Sequence, residues 1–229
     1  MIECELIVVA KHPELGKVKT RLARGIGDRG AFDLYRAFLA DIVARFDVGP
    51  HAFAIAYTPE EAAFEDYGTR LFPQRGATLN DRLHAIFVEQ RTRAQKTLVM
   101  SSDSPHVDPA WIARGFAALD DADVVLGPCE DGGYWCVAMR DPHEIFRNVA
   151  MSTPAVLDQT LDLVRALGLR HAFLPATYDI DELPDLHRLR HDLARGDLRL
   201  PATVAALDTL AKSGAAASDT RVTARSCDR

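Results

Sequence analysis

The run Cys4–Ala10, CELIVVA, is apolar at nearly every position, as expected of a strand covered on both faces. A strand with one wet face would alternate instead, and a membrane span would need about eighteen consecutive apolar residues, which the chain has nowhere. The pattern then switches repeatedly between helical and strand periods. Residues 28–46 place Ala31, Leu34, Tyr35, Phe38, Leu39, Ile42, Val43 and Phe46 at helical spacing, His51–Tyr57 reads as a strand, and Leu79–Gln95 carries Leu83, Ile86 and Phe87 on one helical face. Thr97–Ser101 is a second buried-type strand. Asp108 as N-cap and Pro109 at the first helical position open a helix to Leu119. Asp123–Leu126 and Tyr134–Met139 are strands around the turn-rich GPCEDGG. Ser152-Thr153-Pro154 starts a helix that Gly168 stops, Arg170–Leu174 is a strand, and helices follow over Pro184–Ala194 and from Pro201.

Strands that alternate with helices predict an α/β fold: a doubly wound, mostly parallel sheet with helices on both faces. The expected domain covers residues 1–211, and the small polar stretch 212–229 reads as a disordered tail. With 229 residues, 48% of them hydrophobic, the chain can bury a self-sufficient core. A net charge of −6, from 27 Lys+Arg against 33 Asp+Glu, argues against a general nucleic-acid binder. The start lacks the basic segment of a secretory signal. Cys4, Cys129, Cys136 and Cys227 show no C-x-x-C spacing, and Cys4 and Cys136 read as buried free thiols. A cytoplasmic protein without nucleic-acid or membrane partners is expected.

Ligands in doubly wound sheets bind beyond the carboxyl ends of the strands. The first such end carries Lys11, Lys17, Lys19, Arg21 and Arg24 against Glu14 alone. Lysine supplies point charge, arginine a fork of donors, and Gly16 lets backbone N–H groups approach a phosphate. Gly25-Ile26-Gly27-Asp28-Arg29-Gly30 matches G-x-G-x-x-G, but fourteen residues separate it from Ala10. A dinucleotide fingerprint follows its strand directly, so these glycines read as a turn before a helix. After the strand at Thr97–Ser101 comes Asp103, able to hold Mg²⁺ or Mn²⁺ against nucleotide phosphates or to cap the next segment. Asp131-Gly132-Gly133-Tyr134 forms a turn that permits close ligand approach. In Tyr178-Asp179-Ile180-Asp181 an extended backbone would put both acids on one face, as metal ligands or as a helix start. His187 and His191 are four apart on a helix, but Arg188 stands where H-E-x-x-H needs Glu, so they read as a polar surface.

Four stretches carry a resemblance when taken in order: Lys11-x-Pro13-x-x-Gly16-x-Val18-Lys19-Thr20-Arg21-Leu22, Ser102-Asp103-Ser104-Pro105, Gly127-Pro128-x-x-Asp131-Gly132-Gly133-Tyr134, and Asp179-Ile180-Asp181. Together they resemble the GT-A nucleotide-diphospho-sugar transferase superfamily. Within it they are similar to the bacterial radical-SAM/selenodomain-associated, arsenosugar-biosynthesis-type glycosyltransferases. The resemblance implies a single-domain GT-A, Rossmann-like fold. It also implies transfer from a nucleotide-sugar donor to a small-molecule acceptor with Mg²⁺ or Mn²⁺. By it, Lys11, Gly16, Lys17, Lys19, Thr20, Arg21, Gly76 and Arg82 bind the nucleotide, and Asp103 and Asp181 the metal. Asp131 is expected to orient the acceptor or act as its general base, and Gly132, Gly133 and Tyr134 to bind that acceptor. Two motifs depart from the pattern: the usual D-x-D is Ser101-Ser102-Asp103, and Thr78 and Asn80 replace residues of a Gly-x-Asp-Leu-Gly-x-Arg motif. The rivals are a nucleotidyltransferase that joins an NTP to a phosphorylated small molecule, and a non-catalytic nucleotide sensor with a degenerate metal site.

Overall fold

The structure, a computed structural model, describes residues 1–64 and 67–224, without the side chains of 214–224. The stretch expected as one domain divides into two compact units, Met1–His12 with Ile42–Ile180 (unit 1) and Pro13–Asp41 with the chain from Asp181 onward (unit 2).

Unit 1 holds the sheet. Its strands are β1 (Ile2–Lys11), β2 (Ala52–Thr58), β3 (Arg70–Pro73), β4 (Ala94–Ser101), β5 (Val124–Pro128), β6 (Tyr134–Met139) and β7 (His171–Phe173). The order across the sheet is β3-β2-β1-β4-β6-β5-β7. Neighbours pair in parallel except around β6, which is antiparallel to both β4 and β5. The α/β, mostly parallel sheet read from the alternation is therefore the observed one. β6 reverses because the turn after β5 is far too short for a crossover helix. Helices α2 (Leu79–Gln90) and α4 (Val156–Ala166) cover one face, where Leu83, Ile86, Phe87, Leu161 and Val164 meet Ile7, Val99, Leu126 and Val137. On α3 (Pro109–Ala118), Gly115 lies so close to Leu98 and Leu174 that a Cβ there would come within 2.8 Å of Leu98. Both faces are thus buried, and the strands are correspondingly apolar.

The local signals explain most boundaries. Asp108 caps α3 through its carboxylate and Ala110 N–H, with Pro109 next. Gly168 ends α4 at φ 67°. Some helical boundaries differ from expectation: α2 stops at Gln90, because Ala94–Gln95 already belong to β4, and in α1 (Thr20–Phe46) a helical stretch from Thr20 precedes the expected helix, the two meeting at a kink at Gly27. Edge strand β3 carried no readable signal, since its four residues are all half-buried and do not alternate.

Unit 2 consists of the Pro13–Lys19 loop, the first part of α1, and helices α5 (Leu183–Ala194) and α6 (Pro201–Ala224). Gly25 and Gly30 lie inside α1 rather than in a turn; only Gly27 departs from helical geometry, at φ 78° and ψ 157°. A Cβ on Gly25 would sit 3.2 Å from Leu183, and one on Gly30 would sit 2.8 Å from Leu210. These glycines let α5 and α6 approach, which costs helix propensity but gains packing. Asp41, 1% exposed, accepts hydrogen bonds from Ala202 N–H, Thr203 N–H and Thr203 O–H at the start of α6. That helix runs on past Lys212 to Ala224, into the stretch expected as a tail. Residues 225–229, Cys227 among them, lie outside the described residues. Cys4 is half-buried while Cys129 and Cys136 are buried, and all three are free thiols. His187 and His191 are exposed on α5, as their spacing suggested. Among the described residues no helix is long and apolar enough to cross a membrane.

Candidate functional site

The parallel strands of unit 1 end on one edge, and β6 starts there. Lys11, the exposed last residue of β1, lies on this edge. Buried Gln74 closes the strand ends beside it, its side-chain amide donating to Ala56 C=O at 2.7 Å and its backbone N–H to Tyr57 C=O at 2.7 Å. This leads the chain into Gly76, whose φ of 134° and tight fit against the first turn of α2 exclude a side chain: a Cβ would lie 2.8 Å from Arg82 N. Thr78 is the N-cap of α2 in a capping box with Asp81, and these hydrogen bonds hold the Asp81 carboxyl below its usual range. Asn80 donates to Phe146 C=O and Val149 C=O at 2.6 and 2.9 Å. The two departures from the motif therefore have structural work, one capping a helix and one tying it to the segment after β6. Arg82 bridges Thr78 C=O and the Thr58 hydroxyl, which leaves further guanidinium donors for a ligand.

Beyond β4, Asp103 is half-buried, and its backbone N–H donates to the Ser101 hydroxyl at 3.0 Å. Its carbonyl accepts from Ile180 N–H at 3.0 Å, while buried Ser104 donates to Tyr178 C=O and to the Asp179 carboxylate. Segment 177–180 also bonds along the β5 end, with Thr177 N–H to Pro128 C=O and Glu130 N–H to Thr177 C=O, both 3.0 Å. Asp179 thus joins the loops after β4 and β5. The buried Cys129 thiol donates to it, and burial first, then the Asp179 and Asp131 charges, push that thiol's pKa far up. Burial likewise keeps Cys136 protonated. Asp179, Ser104 and Cys129 form a hub whose pairing sequence spacing did not show, because the segments after three separate strands supply it.

In the turn between β5 and β6, exposed Asp131 accepts from Gly133 N–H at 2.9 Å. Gly132, at φ 89°, packs against the chain before α4: a Cβ would fall 2.1 Å from Pro154 C=O. The space beside this glycine is filled by protein. Tyr134 turns inward, its ring against the core of α2 and α4 and its hydroxyl buried near Thr160, neither hydroxyl making a well-formed hydrogen bond. Burial pushes the Tyr134 pKa up to about 12, against a smaller opposite effect of Thr160.

In unit 2, Gly16 at φ 76° turns the loop, with Lys17 N–H bonded to Glu14 C=O and its exposed ammonium to the Glu14 carboxylate. Val18 and Leu22 are buried and anchor the loop to α1, which exposed Thr20 opens. Lys19 places its ammonium 2.9 Å from Asp181 Oδ1, and Arg21 reaches Asp181 Oδ2 at 3.7 Å. Three of the expected site residues therefore meet in unit 2, with the acid held by two cations.

Residues 41–153 match a family described as an uncharacterized protein conserved in bacteria, DUF2064. No curated protein matches the sequence. Among solved structures, a protein assigned as a nucleotide-diphospho-sugar transferase from Desulfovibrio desulfuricans G20 superposes with a TM-score of 0.82 at 25% identity, over 93% of this chain and 98% of that one. A nucleotidyl transferase from Methanothermobacter thermautotroptrophicus is similar with a TM-score of 0.56 at 16% identity, over 85% of this chain and 99% of its own. The 2-C-methyl-D-erythritol 4-phosphate cytidylyltransferase of Thermus thermophilus gives 0.53 at 16% identity, over 85% and 100%. The fold is that of the nucleotide-diphospho-sugar transferases.

Proposed function

We propose that the chain is a transferase acting on an activated nucleotide, and specifically a glycosyltransferase with a nucleotide-diphospho-sugar donor. The observation that carries this reading is the near full-length likeness to the Desulfovibrio protein. The shared motifs favour the radical-SAM/selenodomain-associated class as its narrower place. Lys11, Gly76 and Arg82 in unit 1 are proposed as nucleotide-binding residues, and so, within unit 2, are Gly16, Lys17, Lys19, Thr20 and Arg21, whose cations suit phosphate groups.

Among the described residues no three His, Cys, Asp or Glu side chains cluster as a ready-made metal cage. Mg²⁺ or Mn²⁺ is proposed to travel with the nucleotide, since Mg²⁺ takes one or two carboxylates and fills its other positions with phosphate oxygens and water. Asp103 is the proposed carboxylate, and when bound the metal supplies charge neutralisation to the diphosphate. Lys19 and Arg21 add to it as the bond between the sugar carbon and the diphosphate oxygen breaks. Asp131, exposed on the glycine turn, is proposed to take the proton of the acceptor hydroxyl as its oxygen bonds to the sugar carbon. Gly132 and Gly133 support this by holding Asp131 in its turn, and Tyr134 by anchoring that turn to the core.

The test is thermal unfolding with UDP- and GDP-sugars and Mg²⁺ or Mn²⁺, followed by donor hydrolysis. Stabilisation that needs both components and disappears in Asp103→Ala is expected. Absence of any shift or turnover across the panel would remove the donor-sugar reading, and pyrophosphate release from NTPs would replace it with nucleotidyl transfer. Metal-dependent binding without turnover of either kind would leave a sensor.

A further inference from the structure

We propose that Asp181 is the internal counter-ion of the phosphate-binding cations, and that it thereby decides which anions the head of α1 accepts. The proposal rests on the transferase reading for the identity of the natural ligand, but its geometry lies wholly within unit 2.

The Lys19 side chain is 4% exposed, and its ammonium is 2.9 Å from one oxygen of Asp181; the Arg21 guanidinium is 3.7 Å from the other. A buried ammonium that loses its opposite charge is destabilised. Lys19 also has φ 46°, a left-handed conformation that a lysine adopts at a cost, immediately before α1 begins. The first turn of that helix has no acid and contains Arg21, the reverse of what a helix dipole favours. Burial, dipole and paired cations all call for an anion here. The Asp181 carboxylate supplies one.

Asp181 is also held in place. Its own N–H and that of Glu182 both donate to Asp185, at 3.0 and 2.7 Å, which fixes the entry to α5. An incoming phosphate must therefore displace the carboxylate from Lys19 and Arg21 or face its repulsion. A singly charged anion cannot do this effectively. A diphosphate competes better, and a cation travelling with it gives the displaced carboxylate a partner. Asp181 thus selects against free anions and in favour of charge-neutralised polyphosphates.

The experiment titrates inorganic pyrophosphate, with divalent metals chelated, into the full chain, Asp181→Asn, and the double variant Lys19→Met with Asp181→Asn. Calorimetry reads affinity and thermal unfolding reads stability. Asp181→Asn is expected to melt below wild type, to bind pyrophosphate at least about tenfold more tightly, and to recover its lost stability in the anion. The double variant should do neither. Equal or weaker binding by Asp181→Asn, or no recovery, overturns the proposal. If Asp181→Asn folds too weakly to titrate, refolding gives the same reading. Folded protein recovered only with pyrophosphate supports the counter-ion role, and recovery indifferent to the anion refutes it. Nucleotide-sugar binding by wild type with metal is scored separately, so failure there removes the donor and leaves the counter-ion standing.

Discussion

Replacing Gly132 with alanine separates the demands made on the turn that carries Asp131. Two costs add at this position. At φ 89° the new side chain stands in the left-handed region, worth about 1–2 kcal/mol. Its Cβ would meet Pro154 O at 2.1 Å, Pro154 C at 2.7 Å and Pro154 Cα at 2.8 Å, all backbone atoms that no rotamer change can move. The turn cannot retreat freely, because Gly132 C=O accepts from Leu157 N–H at 2.9 Å and its N–H donates to Cys129 C=O at 3.1 Å. Relief by backbone shift typically costs about 1–3 kcal/mol, giving roughly 2–5 kcal/mol in total. Two variants isolate the parts. Gly168→Ala has φ 67° and nothing within 4 Å, so it carries strain alone. Gly133→Ala meets only the Asp131 carboxylate, at 3.2 Å, and carries contact alone. Guanidinium unfolding followed by circular dichroism gives the three losses. The reasoning fails if Gly132→Ala is no more destabilising than Gly168→Ala. Transfer activity should fall further than stability explains, because a shift of about 1 Å in a catalytic group can cost on the order of a hundredfold.

Tyr134 predicts a pH dependence. Its folded pKa of about 12 exceeds the ordinary 10, so the native state holds the proton more tightly. The associated stability, about 2–3 kcal/mol, is present below pH 10 and lost between about pH 10 and 12; unfolding curves of Tyr134→Phe should lack that loss, and identical alkaline slopes would contradict it. Glu5, fully buried, meets Arg70 at 2.7 Å and Arg93 at 3.0 Å. Glu5→Gln should cost about 3 kcal/mol in the same denaturation assay, the lower end for a broken buried pair because both arginines reach solvent. A cost under about 1 kcal/mol would class the network with surface pairs.

Several elements were legible because short-range physics decides them. Strand β6 runs from Tyr134 to Met139 as its apolar run indicated, and α3 starts where Asp108 and Pro109 place it. Edge strand β3 was not, since half-buried residues need not alternate. The glycines of α1 were legible in part, since Gly27 breaks the helix where a turn was expected. Locally Gly25 and Gly30 favour a turn, and only the leucines of α5 and α6 packed over them make a helix worth its cost.

For the candidate site, the sequence by itself determined the chemical types and their order along the chain: basic residues after β1, an acid after β4, and an acid with two glycines after β5. Strand ends follow from hydrophobic period, and the loops there inherit their positions. Tertiary structure decided what those side chains hold. It turned Tyr134 inward to the core, filled the space beside Gly132 with Pro154, gave Asp179 to Ser104 and Cys129, and bound Asp181 to Lys19. Periodicity fixes which face or end a residue occupies, whereas pairing between segments far apart in the chain depends on burial and charge balance that only the folded protein brings together.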